Sequence, residues 1–117
     1  MPVFTAQLLS GSTNGRPIAV TATASPGTTL HTVATAAGTL DELFIDAYNT
    51  ATNDRDLVVE FGGTATAEHL WYTISPHLGP YRIVAGARLT ATGTPVRAFL
   101  ATATSGISVI GGANRIV

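Results

Sequence analysis

Three histidines, His31, His69 and His77, are the side chains in this sequence best suited to bind a metal ion. A metal centre needs several ligands that converge, and zinc motifs show this as short, regular spacings. No such spacing occurs here, and a His-Glu-x-x-His motif is absent. Cysteine is absent too, which excludes thiolate ligands and disulfide bonds. We therefore expect structural or surface roles for the histidines, and no metal or other cofactor is predicted.

Acidic residues offer two further kinds of site. The run Asn53-Asp54-Arg55-Asp56 could suggest calcium, but it lacks the twelve-residue loop and its bidentate glutamate. A polar hairpin turn explains it better, because Asn and Asp favour turn geometry. Scattered carboxylates could still approach each other as a catalytic pair, and the sequence leaves this open. They are Asp46, Asp56, Glu60 and Glu68.

Motifs for nucleophilic catalysis and phosphate binding are missing. No serine lies in a Gly-x-Ser-x-Gly elbow, and neither Gly62-Gly63 nor Gly111-Gly112 belongs to a phosphate-binding fingerprint. Both glycine pairs are interpreted as turns. The six cations are scattered arginines, whereas a nucleic-acid surface needs clustered ones. The chain is therefore predicted not to be an enzyme and not to bind nucleic acid. The arginines are Arg16, Arg55, Arg82, Arg88, Arg97 and Arg115.

The low charge is the most unusual total of the 117 residues. Only 11% are charged and the formal net charge is -1, against roughly 25% charged in an average domain. A weakly charged surface resists self-association poorly, which predicts that neighbouring molecules cover part of it. No apolar run approaches the ~20 residues that span a bilayer, and no secretory signal follows Met1. We expect one domain, 1–117, made in the cytoplasm and used without processing.

Short alternating segments between turn signals predict an all-β fold. Leu57, Val59 and Phe61 share one face of a strand, and segments 69–75 and 96–102 alternate in the same way. About eight short strands at this spacing indicate a sandwich or a barrel. Further strands are expected at 3–9, 17–24, 29–36, 81–91 and 107–110. Turns are expected at 10–15, 25–27, Gly38, 53–54, 62–63, 76–80, 93–95, 105–106 and 111–112.

Trp71 is the strongest candidate for an interface. In segment 69–75 it lies opposite Leu70, Tyr72 and Ile74, so it points outward if those three face the core. An exposed tryptophan is typical of an interface hot spot. The alternative, that Trp71 is core and the faces are reversed, stays open. Residues 1–10 could form an N-terminal arm that pairs with a neighbouring subunit's sheet edge. Its apolar candidates are Val3, Phe4, Leu8 and Leu9.

The stretch Leu43 to Gly63 contains Ala47-Tyr48-Asn49-Thr50 and ends a later strand in Glu60-Phe61-Gly62-Gly63. It resembles small virion structural proteins of tailed bacteriophages, as do Val96-Arg97-Ala98-Phe99 and the segment from Gly111 to Ile116. The stretch up to Leu40 has no counterpart in that group.

The resemblance implies a single-domain antiparallel β-sandwich, jelly-roll-like, that is placed on the capsid as a cement or decoration protein. Its partners would be the major capsid protein and copies of itself, with a homotrimer favoured. Its location would be the capsid surface of a virion assembled in the host cytoplasm. A tail or neck component is a further hypothesis within this setting.

The segment 39–48 has two interpretations. Thr39-Leu40-Asp41-Glu42 has the form of a capping box, and apolar residues then follow at helical spacing. Read as a strand, Leu43, Ile45 and Ala47 alternate with polar or aromatic neighbours. The resemblance favours the strand.

A carbohydrate-binding module is the competing function from another class. β-Sandwiches of this size can bind sugars on exposed aromatic rings, and Trp71, Tyr72 and Tyr81 could form such a platform.

Overall fold

The computed structural model of the protein describes residues 3–33, 38–90 and 95–117. Nearly all regular structure in these ranges is β, and the described helical structure is one 3-10 turn at Thr66–Glu68. The strands are β1 (Phe4–Leu8), β2 (Ile18–Ala19), β3 (Thr28–Thr32), β4 (Leu40–Asn49), β5 (Arg55–Phe61), β6 (His69–Ile74), β7 (Tyr81–Thr90), β8 (Pro95–Leu100) and β9 (Ile107–Ile116).

The strands form two packed antiparallel sheets. Sheet A has the order β1–β9–β4–β7, with β2 also paired to β9, and sheet B has the order β3–β8–β5–β6. The pairs β5–β6, β4–β7, β3–β8 and β1/β2–β9 are nested inside one another along the chain. This is one long antiparallel hairpin wound over itself, which is the jelly-roll arrangement. The predicted all-β sandwich is confirmed.

The described residues contain nine strands, in keeping with the prediction of about eight, and the first strand position of the jelly roll is filled by two short pieces. Strand β4 pairs with β9 over its full length, so β1 and β2 share the opposite edge of β9. There β1 pairs with Gly112–Ile116 and β2 with Ser108–Val109. The two pieces together occupy the position of one jelly-roll strand, and the intervening loop lies outside the ladder.

Segment 39–48 is a strand, so the interpretation that the resemblance favoured is confirmed. Burial alternates through Leu40–Asn49, with every second side chain facing the other sheet. The local helical spacing does not decide the structure, because β4 is an interior strand of sheet A. Ladders to β7 and β9 satisfy its backbone on both sides, and this long-range pairing outweighs weak local propensity.

Side chains from both sheets form one hydrophobic core. As expected from the alternation, Leu57 and Val59 are fully buried in it, and Phe61 packs against it. Strand β8 contributes the predicted face, since every second residue from Val96 is buried. Other large members are Leu9, Leu30, Leu43, Ile45, Ile74, Leu100 and Ile107.

Some local predictions are corrected. Gly111-Gly112 is not a turn but lies inside β9, where a Cβ on Gly111 would overlap the carbonyl oxygen of Phe44 on β4. The predicted strand 17–24 is reduced to Ile18–Ala19. Residues 4–8 do not form a detached N-terminal arm, because they pair with β9 of their own sheet. Parts of four further predictions lie outside the described residues: the arm, strands 29–36 and 81–91, and turn 93–95. The residues concerned are 1–2, 34–37 and 91–94.

Candidate interaction surfaces

Trp71 lies on the outside of the sandwich. It is on β6, the edge strand of sheet B, and its side chain is 62% exposed. Ile74, on the opposite face of the same strand, is 1% exposed and belongs to the core. The outward placement of Trp71 is therefore right, and the alternative in which it is a core residue is wrong.

The indole ends an apolar row that crosses sheet B. Trp71 pairs with Val58 on β5, and Val58 pairs on its other side with Phe99 on β8. Directly paired residues share a face of the sheet. Val58 is fully buried although it faces away from the core. Trp71 thus extends a covered apolar row to the sheet edge, where the row becomes accessible to a partner.

A second exposed apolar surface lies on β1, the edge strand of sheet A. Val3, Phe4 and Leu8 are 57%, 62% and 60% exposed. Phe4 pairs with Ile116 and Leu8 with Gly112, both on the outer face of β9. All four residues predicted to form the interface are therefore accessible to solvent: Trp71, Val3, Phe4 and Leu8.

The structure does not bring these two surfaces together. Strand β6 is tied to β7 by a hydrogen bond in which the Tyr72 hydroxyl donates to the carbonyl oxygen of Ile83 at 2.5 Å. Strand β7 and strand β1 are the two opposite ends of sheet A. Trp71 and the β1 residues consequently lie at opposite sides of the sandwich and could contact two different neighbours.

Two apolar rows on the outer face of sheet A lead from β1 to β4, one on each side of the polar pair Glu42 and Asn114. Leu40 is the β4 partner of Ile116, and Phe44 is the β4 partner of Gly112. Toward β7 the face becomes charged, with Arg82 paired to Asp46 and also lying 5.7 Å from the centre of the Phe44 ring. Arg88 pairs with Glu42 in the same region. The charge-free part of the outer face thus lies on the β1 side.

The three aromatic residues expected in a sugar platform do not share a face. Tyr72 neighbours Trp71 in the strand and therefore points to the other side, where it packs against the core. Burial, and to a lesser extent Tyr81, raises the pKa of the Tyr72 phenol. Trp71 is exposed without the neighbouring ring that the platform required.

A buried polar network joins three strands near the β1 side. His31 and Asp41 are 1% and 0% exposed, and His31 Nε2 lies 2.7 Å from Asp41 Oδ2. The guanidinium of Arg115 donates two hydrogen bonds, at 2.9 and 3.0 Å, to the two oxygens of the same carboxylate. Burial raises the pKa of Asp41, but the hydrogen bonds from Arg115 and His31 outweigh it, and the pKa is lowered overall.

This network has the residue types of a catalytic His–Asp pair but not its geometry. The backbone N–H of Ser10 donates to His31 Nδ1 at 3.0 Å, so Nδ1 is unprotonated and Nε2 carries the proton toward Asp41. A general base needs a ring nitrogen free to accept a proton from a nucleophile. Both ring nitrogens are already used, and the Ser10 hydroxyl instead accepts from the Thr32 N–H. The arrangement locks β3, β4 and β9 together.

A second buried carboxylate, Glu60, holds a loop onto sheet B. The Ser25 hydroxyl donates to Glu60 Oε2 at 2.5 Å, and the Gly27 N–H donates to Oε1 at 2.6 Å. His69 Nε2 lies 3.5 Å from Oε2. Among the described residues this buried nitrogen has no hydrogen-bond partner.

Three of the four carboxylates that could have formed a catalytic pair have separate partners. Asp46 binds Arg82, Asp56 accepts from the Thr73 hydroxyl, and Glu60 binds the loop. Within residues 3–33, 38–90 and 95–117, no three His, Asp or Glu residues are placed to share a metal ion. The same ranges contain no helix of the length and apolarity required to cross a membrane.

A shallow open depression of about 530 Å³ lies at the end of β4, lined by Tyr48, Asn49, Thr50, His77 and Pro80. Its most buried polar group is the Asn49 amide, which is already occupied. The amide donates to the carbonyls of Asn53 and Ile74, and its oxygen accepts from the Ala51 N–H. The depression therefore offers little directed hydrogen bonding to a ligand.

Comparison of the chain with protein-family models, with curated proteins and with solved structures gives no match.

Proposed function

We propose that the chain is a non-enzymatic structural protein of a phage virion, which binds the outer capsid as a symmetric oligomer and stabilises the shell. The observation that carries the proposal is the placement of Val3, Phe4, Leu8 and Trp71 in solvent at two sheet edges. The resemblance of Leu43 to Gly63 to virion structural proteins points in the same direction.

The mechanism of such a protein is the burial of surface. Apolar side chains that are 57–62% exposed in the free domain lose contact with water when they contact the shell. A ligand that binds the assembled state and not the separate subunits shifts the equilibrium toward assembly. Two exposed edges on opposite sides of one sandwich would let a single copy contact two neighbours. The capsid protein is the proposed partner at one of these edges.

Trp71→Ala tests the proposal directly. Because the indole is exposed, its removal should leave the thermal midpoint of the isolated protein nearly unchanged. Removal of an interface anchor costs ~2 kcal/mol or more of binding, so retention on capsids that lack the protein should fall at least tenfold in co-sedimentation.

Leu78→Ala is the matched control, since Leu78 is 60% exposed but lies outside the candidate set. It should retain capsid binding. If Trp71→Ala binds capsids as the wild type does, the proposed role of Trp71 is refuted. A wild-type protein that ignores capsids altogether refutes the cement function.

The second candidate is a carbohydrate-binding module, and the exposure of Trp71 favours it over an enzyme. A single indole can stack against a sugar ring. A glycan array separates the candidates: specific binding that is lost in Trp71→Ala would replace the capsid hypothesis. A tail or neck location would instead be shown by co-sedimentation with tails and not with heads.

A further inference from the structure

The outward groups of strand β1 can be identified from its ladder with β9. Val3 and Val117 exchange two backbone hydrogen bonds, at 3.1 and 3.0 Å. In an antiparallel pair, bonded and non-bonded residue pairs alternate. Thr5 and Gln7 therefore direct their backbone groups to β9, whereas Phe4, Ala6 and Leu8 direct theirs away from it. Among the described residues, no other strand pairs with this side of β1.

Edge strands of native sheets usually carry a feature that prevents further pairing, such as lysine, proline or a bulge. Strand β1 has the sequence Phe-Thr-Ala-Gln-Leu and pairs with β9 in an unbroken register. It contains no charged residue and no proline. The opposite edge of sheet A differs, because β7 carries Arg82 and Arg88 and its register with β4 shifts twice.

The sequence of β1 is complementary to itself. If two copies pair antiparallel about a two-fold axis at Ala6, Phe4 lies opposite Leu8 of the second copy, and Thr5 lies opposite Gln7 of the second copy. Apolar residues then meet apolar ones, and polar residues meet polar ones. The three outward residues form bonded pairs in this register, which gives about six backbone hydrogen bonds across the axis.

The same register continues two apolar rows of the outer face from one copy to the next. Leu40, Ile116 and Phe4 form one row across sheet A, and Phe44, Gly112 and Leu8 form another. Two-fold pairing places the first row of each copy in line with the second row of its partner. The absence of charge on β1 removes the repulsion that two like edges would otherwise experience.

We propose that β1 is a two-fold contact between copies of this chain, in which the β1 strands pair antiparallel about Ala6 and sheet A continues across both molecules. The inference deepens the symmetric oligomer of the proposed function and rests on it. A two-fold contact closes after two copies. It therefore cannot generate a trimer, but it would join single chains or whole trimers in pairs.

Light scattering of the free protein over a micromolar concentration series tests the contact. The wild type should show an even number of copies, two or six. Ala6→Pro removes an N–H that points away from β9, and proline is tolerated on edge strands. It should halve the mass and raise the dissociation constant of the pair about tenfold or more. A wild type that stays at one or three copies, or an Ala6→Pro variant of unchanged mass, overturns the proposal.

Two charge variants keep the test independent of the proline. In the Phe4→Lys/Leu8→Lys variant, like charges meet across the axis, and the pair should dissociate. In the Phe4→Lys/Leu8→Glu variant, opposite charges meet, and the pair should persist. Both variants lose the same two exposed side chains, so equal masses for the two overturn the register and the proposal.

Capsid binding is measured separately on the same samples. Loss of paired mass with retained capsid binding supports the β1 contact independently of the cement function. Paired mass with no capsid binding supports the contact and refutes the cement function. Trp71→Ala, on the other sheet, should leave the mass unchanged.

Discussion

Asp41 and Glu60 are both carboxylates with almost no exposed surface, but they are held in different ways. Asp41 faces the interior of the sandwich and lies between a guanidinium and an imidazole. Glu60 faces outward on sheet B and is buried because a loop folds over it, with a hydroxyl and a backbone N–H as donors. One network ties strands to strands, and the other ties a loop to a strand.

The difference indicates which of the two carboxylates must be charged to stabilise the fold. The charge of Asp41 is balanced by Arg115, so removal of the carboxylate leaves a cation without its partner. The donors to Glu60 are neutral, so an uncharged acceptor of the same shape can replace much of what it does. The two sites should therefore respond differently to the same conservative change from acid to amide.

Asp41→Asn should give the larger loss. An amide has one acceptor oxygen, whereas Asp41 accepts from His31 and twice from Arg115, so at least one donor would face the NH2 group. Breaking a fully buried pair costs about 3 kcal/mol or more, but Arg115 is 27% exposed and partly solvated, so we expect a loss of about 2 kcal/mol. Urea unfolding should show this as a lower midpoint. A loss under about 1 kcal/mol would mean that the network contributes little to the fold.

Glu60→Gln should be milder and confined to the loop. The Gly27 N–H can still donate to the amide oxygen, and the Ser25 hydroxyl can rotate to accept from the NH2 group. We expect a loss of about 1.5 kcal/mol. Hydrogen exchange should increase in residues 21–27 and not in β3 or β9. Equal losses from Glu60→Gln and Asp41→Asn would remove the distinction between the two carboxylates.

Acid should weaken the Asp41 network, with a smaller effect than the substitution. The pKa of Asp41 is lowered in the folded protein, so its contribution is fully present above its unfolded pKa of about 3.9 and is lost as pH falls through the folded value. The thermal midpoint of the wild type should fall below about pH 4. Asp41→Asn should show a shallower fall over the same range. Identical slopes would contradict the assignment.

Much of the fold could be predicted from short-range pattern, because strand alternation is a local property. The core faces of 57–61 and 96–102 follow from it, whereas the alternation in 69–75 leaves open which side Trp71 occupies. Strand β9 is longer than the expected 107–110, because Gly111-Gly112 has the form of a turn signal in the sequence. At Gly111 the reason for glycine is instead the close approach of the β4 backbone.

The buried networks could not be predicted, since their members come together only through the winding of the sheets. His31, Asp41 and Arg115 lie on β3, β4 and β9, which are distant in sequence. One signal was present: as a strand, segment 40–49 places Asp41 on the same face as Leu43 and Ile45. A carboxylate on a core face requires a buried partner. Nothing comparable marked Glu60, whose burial depends on a loop.

The nesting of the strand pairs also predicts the order in which they form during folding. The β5–β6 pair is formed by neighbouring segments, whereas the ladder of β1 with β9 joins residues from the two ends of the described chain. Closing a long loop costs more entropy than closing a short one, and folds dominated by distant contacts form slowly. We therefore expect the ladder between β1 and β9 to form last during folding and to open first during unfolding. The edge that carries Phe4 and Leu8 is completed only when the rest of the molecule is in place.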